Sequence, residues 1–144
     1  MRPMAEALAA FRSAHGWGRA LAAPQLGIAK RIIVLDLGTG RFFMINPAVE
    51  RRSPEEFELW DDCMCAPSIA VRLLRSRSTT VRFTDERGRV ARIEKCGESV
   101  SELLQHELDH LGGVLLTDRM LPEWGVVQRE ARLIAEPVVP RLPE

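Results

Sequence analysis

The chain holds 144 residues, 46% hydrophobic and 28% charged, the make-up of an ordinary globular protein long enough to bury a core without covalent staples. Twenty Lys and Arg balance twenty Asp and Glu, so the net charge is zero and no overall field draws the chain to nucleic acid or to an anionic membrane. No apolar run approaches the length that spans a bilayer, and the first residues, MRPMAEALAAFRSAHGWG, lack the long uncharged core and cleavage site of a secretory signal.

In chain order, residues 3–14 place Met4, Leu8 and Phe11 at helical spacing among strong helix formers, and His15-Gly16 ends the pattern. ALAAPQLG (20–27) reads as a loop punctuated by Pro24 and Gly27. RIIVLDL (31–37) has the composition of a buried strand, and GTG turns it into a hairpin partner, RFFMINP (41–47). Residues 55–71 are mixed in pattern. The arginines of RLLRSRS (72–78), without interleaved aromatics, are expected along a solvated strand. TTVRFTD (79–85) and RVARIEK (89–95) alternate apolar with polar residues around ERG, a second hairpin.

Ser99 with Glu102 has the form of a capping box, opening a helix that runs through Leu111 and closes at Gly112-Gly113. One more short helix is expected over 122–136, ahead of a fraying proline-rich end. There is no repeat or linker, so a single domain spanning 1–144 is expected. Strands come first and the second helix late, which argues α+β rather than a βαβ series.

That late helix carries His106-Glu107-Leu108-Asp109-His110, the HExxH pattern. Histidines at i and i+4 project from one helix face and can share a metal ion, and the glutamate after the first can reach water at that metal. Catalytic sites of this kind use a third protein ligand and keep one position open. Glu130, twenty residues past His110, has the spacing of thermolysin-like zinc proteases, but QREARLIAE lacks the Asn and Asp that support such a site. The other candidate is Cys63 in DDCMCAP. Three cysteines, two of them one residue apart, do not make a secreted disulfide framework. The expected location is therefore the reducing cytoplasm, where a thiol stays available, and cysteine is the favoured ligand.

Three ordered segments resemble the peptide deformylase family: LAAPQLG (21–27), DDCMCAP (61–67) and QHELDHLGGVLLTD (105–118). The resemblance implies antiparallel β-sheets wrapped around a central helix that carries HExxH. It implies that Cys63, His106 and His110 bind one divalent cation, Fe²⁺ by preference with Zn²⁺ or Ni²⁺ as alternatives, and that Glu107 is the general acid/base. Gln25 and the backbone N–H of Met64 would stabilise the oxyanion. The implied reaction removes the formyl group from the formyl-methionine of nascent polypeptides, so the partners are N-formylated peptides, including chains at the ribosome. Neither direct nucleic-acid binding nor a membrane is implied. The chemistry is consistent: metal brings the pKa of water towards neutrality, Glu107 moves its proton, and each fixed donor to the oxyanion contributes about 3 kcal/mol.

Asp61, Asp62, Met64 and Cys65 stand where the family has Glu, Gly, Leu and Ser. Arg75 is the expected partner of Asp61, a left-handed backbone at Asp62 would be costly, and Cys65 is expected as a small buried residue. Arg19 and Ala20 replace an aliphatic residue and a glycine, crowding the strip where substrate backbone runs. Two alternatives follow: a divergent hydrolase of another small formamide or N-acyl substrate, and a non-catalytic metal-binding relative.

Overall fold

The computed structural model describes residues 1–131 of the chain. Helix α1 (Arg2–His15) buries Met4, Ala5 and Leu8 and stops at Gly16, whose φ of 75° is a left-handed conformation that glycine adopts without a Cβ penalty. Strand β1 (Ala20–Ala22) and a 3₁₀ turn (Ala23–Leu26) follow, where only a loop was expected. β2 (Ile32–Asp36) and β3 (Arg41–Arg52) pair antiparallel with Ile32 opposite Ile45, as the hairpin reading requires.

The mixed segment resolves into β4 (Glu56–Cys63) and β5 (Ala66–Ser76), joined by the two-residue turn Met64-Cys65. β6 (Thr79–Thr84) and β7 (Val90–Cys96) form the second expected hairpin. Helix α2 (Glu98–Leu111) comes next, and β8 (Val126–Gln128) ends the strands described.

Among the described residues, the strands make two antiparallel sheets, ordered β1-β2-β3-β6-β7 and β4-β5-β8. Period-two alternation along β2 divides the first sheet between two cores. Ile33 and Leu35 join Met44, Val81 and Phe83 beneath Leu103 and Leu104 of α2, whereas Val34 and Phe43 face Met4 and Leu8 of α1. α2 packs on β1 and β6 of the larger sheet and on β5 of the smaller one. Nine of its residues are buried, polar ones included, because it is enclosed on several sides rather than lying on a surface. The α+β fold with sheets around a central helix is thus observed.

Several local expectations are corrected. The capping box does not form: α2 begins at Glu98 with Gly97 as N-cap and no side-chain cap, because Arg19 pairs with the Glu102 carboxylate and donates to Ser99 Oγ. The helix expected over 122–136 is not seen up to residue 131. Gly125 takes φ 62°, the β-branched pair Val126-Val127 adds to the edge of β5, and a 3₁₀ turn covers Arg129–Ala131. Residues 132–144, including the proline-rich end and the last part of that expected helix, lie outside the described residues. The arginine run does not lie wholly in solvent either, since Arg75 is 2% exposed. No helix among the described residues is long and apolar enough to cross a membrane.

Candidate metal centre

Two elements bring the expected ligands together. α2 sets His106 and His110 one turn apart, and their Nε2 atoms lie 3.1 Å from each other. β4 ends at Cys63, whose Sγ is 3.3 Å from His110 Nε2. There the β4–β5 register breaks, Asp62 facing Ala70 but Cys63 facing Ala66, an irregularity of the kind that re-aims a side chain. All three ligand atoms lie within 4.8 Å of one another and all three residues are buried. Two imidazoles and a thiol suit a tetrahedral divalent cation with one position left open, so the donor set fits a catalytic metal.

The electrostatics support the same fit. Burial alone would raise the Cys63 thiol, but hydrogen bonds from His106 and His110 outweigh it and bring its pKa down to about 6, into the thiolate range a ligand needs. His106 Nδ1 donates to Asp61 Oδ2 at 3.0 Å and lies 3.1 Å from Oδ1, which orients the ring with Nε2 towards the cluster. Burial opposes protonation of His106, but Asp61 and Cys63 dominate and hold its pKa well above the usual histidine value.

Asp61 is itself held. Arg75 donates to it at 3.0 Å and to Asp109 at 2.5 Å, and Arg119 grips Asp109 at 2.5 and 2.7 Å. The Arg75–Asp61 pair expected from the sequence is therefore present. Asp109 and Arg119 were missed, although an acid inside a buried helix beside His110 was a usable signal.

The remaining expected residues face the same place. Glu107 is 3% exposed, its Oε2 has no hydrogen-bond partner among the described residues, and burial pushes its pKa up to about 7. Gln25 Oε1 accepts from Ala22 N–H at 2.7 Å, which fixes the amide so that Nε2 points at Cys63 and Cys65, 3.7 and 3.4 Å from their sulfurs. Gln25, Met64, His106 and Glu107 all line one cavity of about 410 Å³. Glu130 is exposed on the 3₁₀ turn and outside the ligand cluster.

Cys65 corrects another expectation. It is exposed, because the turn it shares with Met64 aims it outward, and partial desolvation with the neighbouring Cys63 and Glu107 charges raises its pKa. Asp62 adopts no left-handed backbone, so the anticipated strain is absent, and Arg129 binds its carboxylate at 2.8 Å.

A model of the polypeptide deformylase family matches residues 1–124. The chain belongs to the polypeptide deformylase family. Among curated deformylases, that of Thermotoga neapolitana is 41% identical over 108 residues, covering 75% of this chain and 65% of the relative. That of Synechocystis is 36% identical over 120 residues, with 80% and 63% covered. The chain thus spans slightly less than two thirds of the length of these relatives.

Among solved deformylases, the Thermotoga maritima structure superposes with a TM-score of 0.72 at 33% identity, covering 85% of this chain and 84% of that one. The Synechococcus elongatus structure, a complex with actinonin, gives 0.69 at 36% identity, with 72% and 57% covered. Deformylases are metal-dependent, and Cys63, His106 and His110 form the cluster in this chain that could hold the ion.

Proposed function

We propose that the chain is a metal-dependent hydrolase that removes the N-formyl group from peptides, formyl-methionyl nascent chains being the substrate its relatives imply. Cys63, His106 and His110 would hold the cation, Fe²⁺ by preference. A cation bound there supplies Lewis acidity, polarising a carbonyl and acidifying water. Glu107, with a buried oxygen that no donor among the described residues occupies, takes the proton of the attacking water and returns it to the leaving amine. Burial, which raises its pKa to about 7, makes both transfers accessible near neutral pH.

Gln25 Nε2 and the N–H of Met64 donate to the carbonyl oxygen as charge grows on it. Because Ala22 N–H already fixes the Gln25 amide, that donor needs no reorganisation. The expected compartment is the cytoplasm, and chains emerging from the ribosome are the expected encounter.

One observation carries this reading: a buried, unpaired Glu107 and a fixed Gln25 amide line the same cavity as His106 of the ligand cluster. The test is formate release from formyl-Met-Ala-Ser by Fe²⁺- or Ni²⁺-loaded protein handled without oxygen. Release is expected, with Glu107→Ala slower by about 10²- to 10⁴-fold. Equal rates for wild type and variant, or no formate at all, would refute it.

A further inference from the structure

The β4–β5 turn holds a second thiol beside the metal ligand, and the proposed hydrolysis gives it no task. Cys63 ends β4, and only Met64 separates it from Cys65. The first sulfur is buried among the imidazoles, 3.3 Å from His110 Nε2, while the second cysteine is exposed. The deformylase resemblance puts serine at position 65, so the pair of thiols belongs to this chain.

The turn folds the two residues together. Cys65 N–H donates to Cys63 Sγ at 3.4 Å, and both sulfurs flank Gln25 Nε2, at 3.7 and 3.4 Å. Positions i and i+2 hold their Cα atoms no more than about 7 Å apart even in extended chain, and a turn brings them closer. Disulfides bridge Cα separations of about 4.4–6.8 Å, so the backbone already permits the bond and the exposed Cys65 side chain has room to rotate into it. Cys96 is held elsewhere: it ends β7 and donates to Thr79 O at 3.2 Å.

The Cys63 sulfur cannot serve a cation and a disulfide at once. As a thiolate it gives a metal a full negative charge, whereas in a disulfide it is neutral and a poor donor. The state of the pair therefore decides whether the two imidazoles have a third ligand.

We propose that Cys63 and Cys65 are a redox modification site, which hydrogen peroxide closes as a disulfide in the metal-free protein and a dithiol reopens. The peroxide O–O bond breaks at the exposed Cys65, one oxygen becoming a sulfenic hydroxyl and the other leaving as water. The Cys63 sulfur then attacks that of Cys65. The S–S bond forms, the S–O bond breaks, and hydroxide leaves with the Cys63 proton as a second water. Two thiols lose two hydrogens and two electrons, and one peroxide becomes two waters. The ring so closed is small and strained, which keeps the bond easy to reduce. Without the second thiol, oxidation of Cys63 runs on to sulfinic and sulfonic acids, which a dithiol does not restore. The inference rests on Cys63 as a metal ligand and not on hydrolysis.

The test treats chelator-stripped protein with a small excess of hydrogen peroxide and quenches it with catalase. Tryptic peptide 53–72 contains both cysteines and not Cys96, and it is expected to lose two hydrogens and resist alkylation. Free thiols should fall from three to one, and Ni²⁺ uptake by elemental analysis should fall from stoichiometric to negligible and return after dithiothreitol. Cys65→Ser, which carries the residue of the family, should instead gain oxygen on Cys63 and stay unable to take up Ni²⁺ after the same reduction. Fragmentation of the peptide separates that oxygen from a sulfoxide on Met64.

Oxygen adducts without hydrogen loss, a bond to Cys96 or to a second chain, or Ni²⁺ uptake that persists while the bond is closed overturns the inference. So does full recovery of Cys65→Ser. Formate release by reduced, Fe²⁺-loaded wild type keeps the two readings apart. Formate without the disulfide retains the hydrolysis and removes the modification site, whereas the reversible disulfide without formate does the opposite.

Discussion

Replacing Asp61 with Asn tests whether the buried ionic chain behind His106 sets up the metal centre. In the native site the Asp61 carboxylate meets His106 Nδ1 at 3.0 and 3.1 Å while both side chains are under a tenth exposed. A hydrogen bond to a charged group in such a place contributes about 1.5–3 kcal/mol. At about 1.4 kcal/mol per tenfold, that is a loss of about 10- to 100-fold in metal affinity, the range found when the outer partner of a ligating histidine is removed. The isosteric amide adds a second effect. Arg75, 2% exposed, keeps its pair with Asp109 but loses the Asp61 charge, and removing one partner of a buried ion pair costs about 3 kcal/mol or more. Competition against a chelator of known affinity measures the first effect, and denaturant unfolding of the metal-free protein the second. Arg75→Met is the control: it destabilises the fold yet leaves Asp61 on His106, so its affinity loss should be the smaller. If Asp61→Asn binds Ni²⁺ as tightly as wild type, the orientation argument for His106 fails.

The choice of third ligand is checked by two substitutions: Cys63→Ala should abolish stoichiometric metal in elemental analysis, whereas Glu130→Ala should leave it unchanged. Gly18→Ala should lower stability by about 1–3 kcal/mol in thermal unfolding, because φ is 116° and the new Cβ would sit 3.2 Å from Phe11 Cδ1; an unchanged Tm contradicts this. Asp36 links stability to pH: the Gly38 N–H and the Arg12 guanidinium hold its pKa below the usual 3.8. Its contribution is therefore present above pH of about 4 and is lost as pH falls through the lower folded value. Asp36→Asn should lose stability at neutral pH and flatten the acid limb of a stability–pH curve, and a curve parallel to wild type would argue against the contact.

How much of this was legible in the sequence depended on how local each signal was. α1 and the second hairpin were readable because single-faced burial leaves a clean period of 3.6 or 2, and the first because β2, buried on both faces, is a short β-rich apolar run closed by a glycine turn. Residues 55–71 were not, because the strands they belong to carry buried ions. Asp61 and Arg75 occupy core positions that the alternation rule assigns to apolar residues, and the bond joining them spans fourteen residues. The capping box failed for a related reason: its glutamate is claimed by Arg19, 83 residues away. The last helix was misread because the 122–136 pattern conceals the turn at Gly125 and the edge of β5 that draws Val126–Gln128 into a sheet. The histidine pair was legible as a candidate because helical spacing alone brings the two rings together. Cys63 was reached by weighing it against Glu130 and then by the resemblance, since no local rule says where the end of β4 will lie.

The illegible contacts do more than orient a histidine. Asp61 lies on β4 and Arg75 on β5, and Arg75 reaches Asp109 on α2. Farther along the same seam, Gln105 Oε1 accepts from Ser76 N–H, its Nε2 donates back to Ser76 O, and Ser101 Oγ donates to that same carbonyl. The smaller sheet is thus fastened to the central helix largely by polar bonds, whereas the larger sheet meets it through Leu103 and Leu104. Non-directional burial tolerates small sliding, but a chain of buried charge-assisted bonds does not, because each half-made bond leaves an ion unpaired in a dry place. Cys63 comes from the polar-fastened sheet and both histidines come from the helix. The physical consequence is that the distance between thiol and imidazoles is set by the interface least able to drift, which is what a metal centre assembled from two separate elements needs.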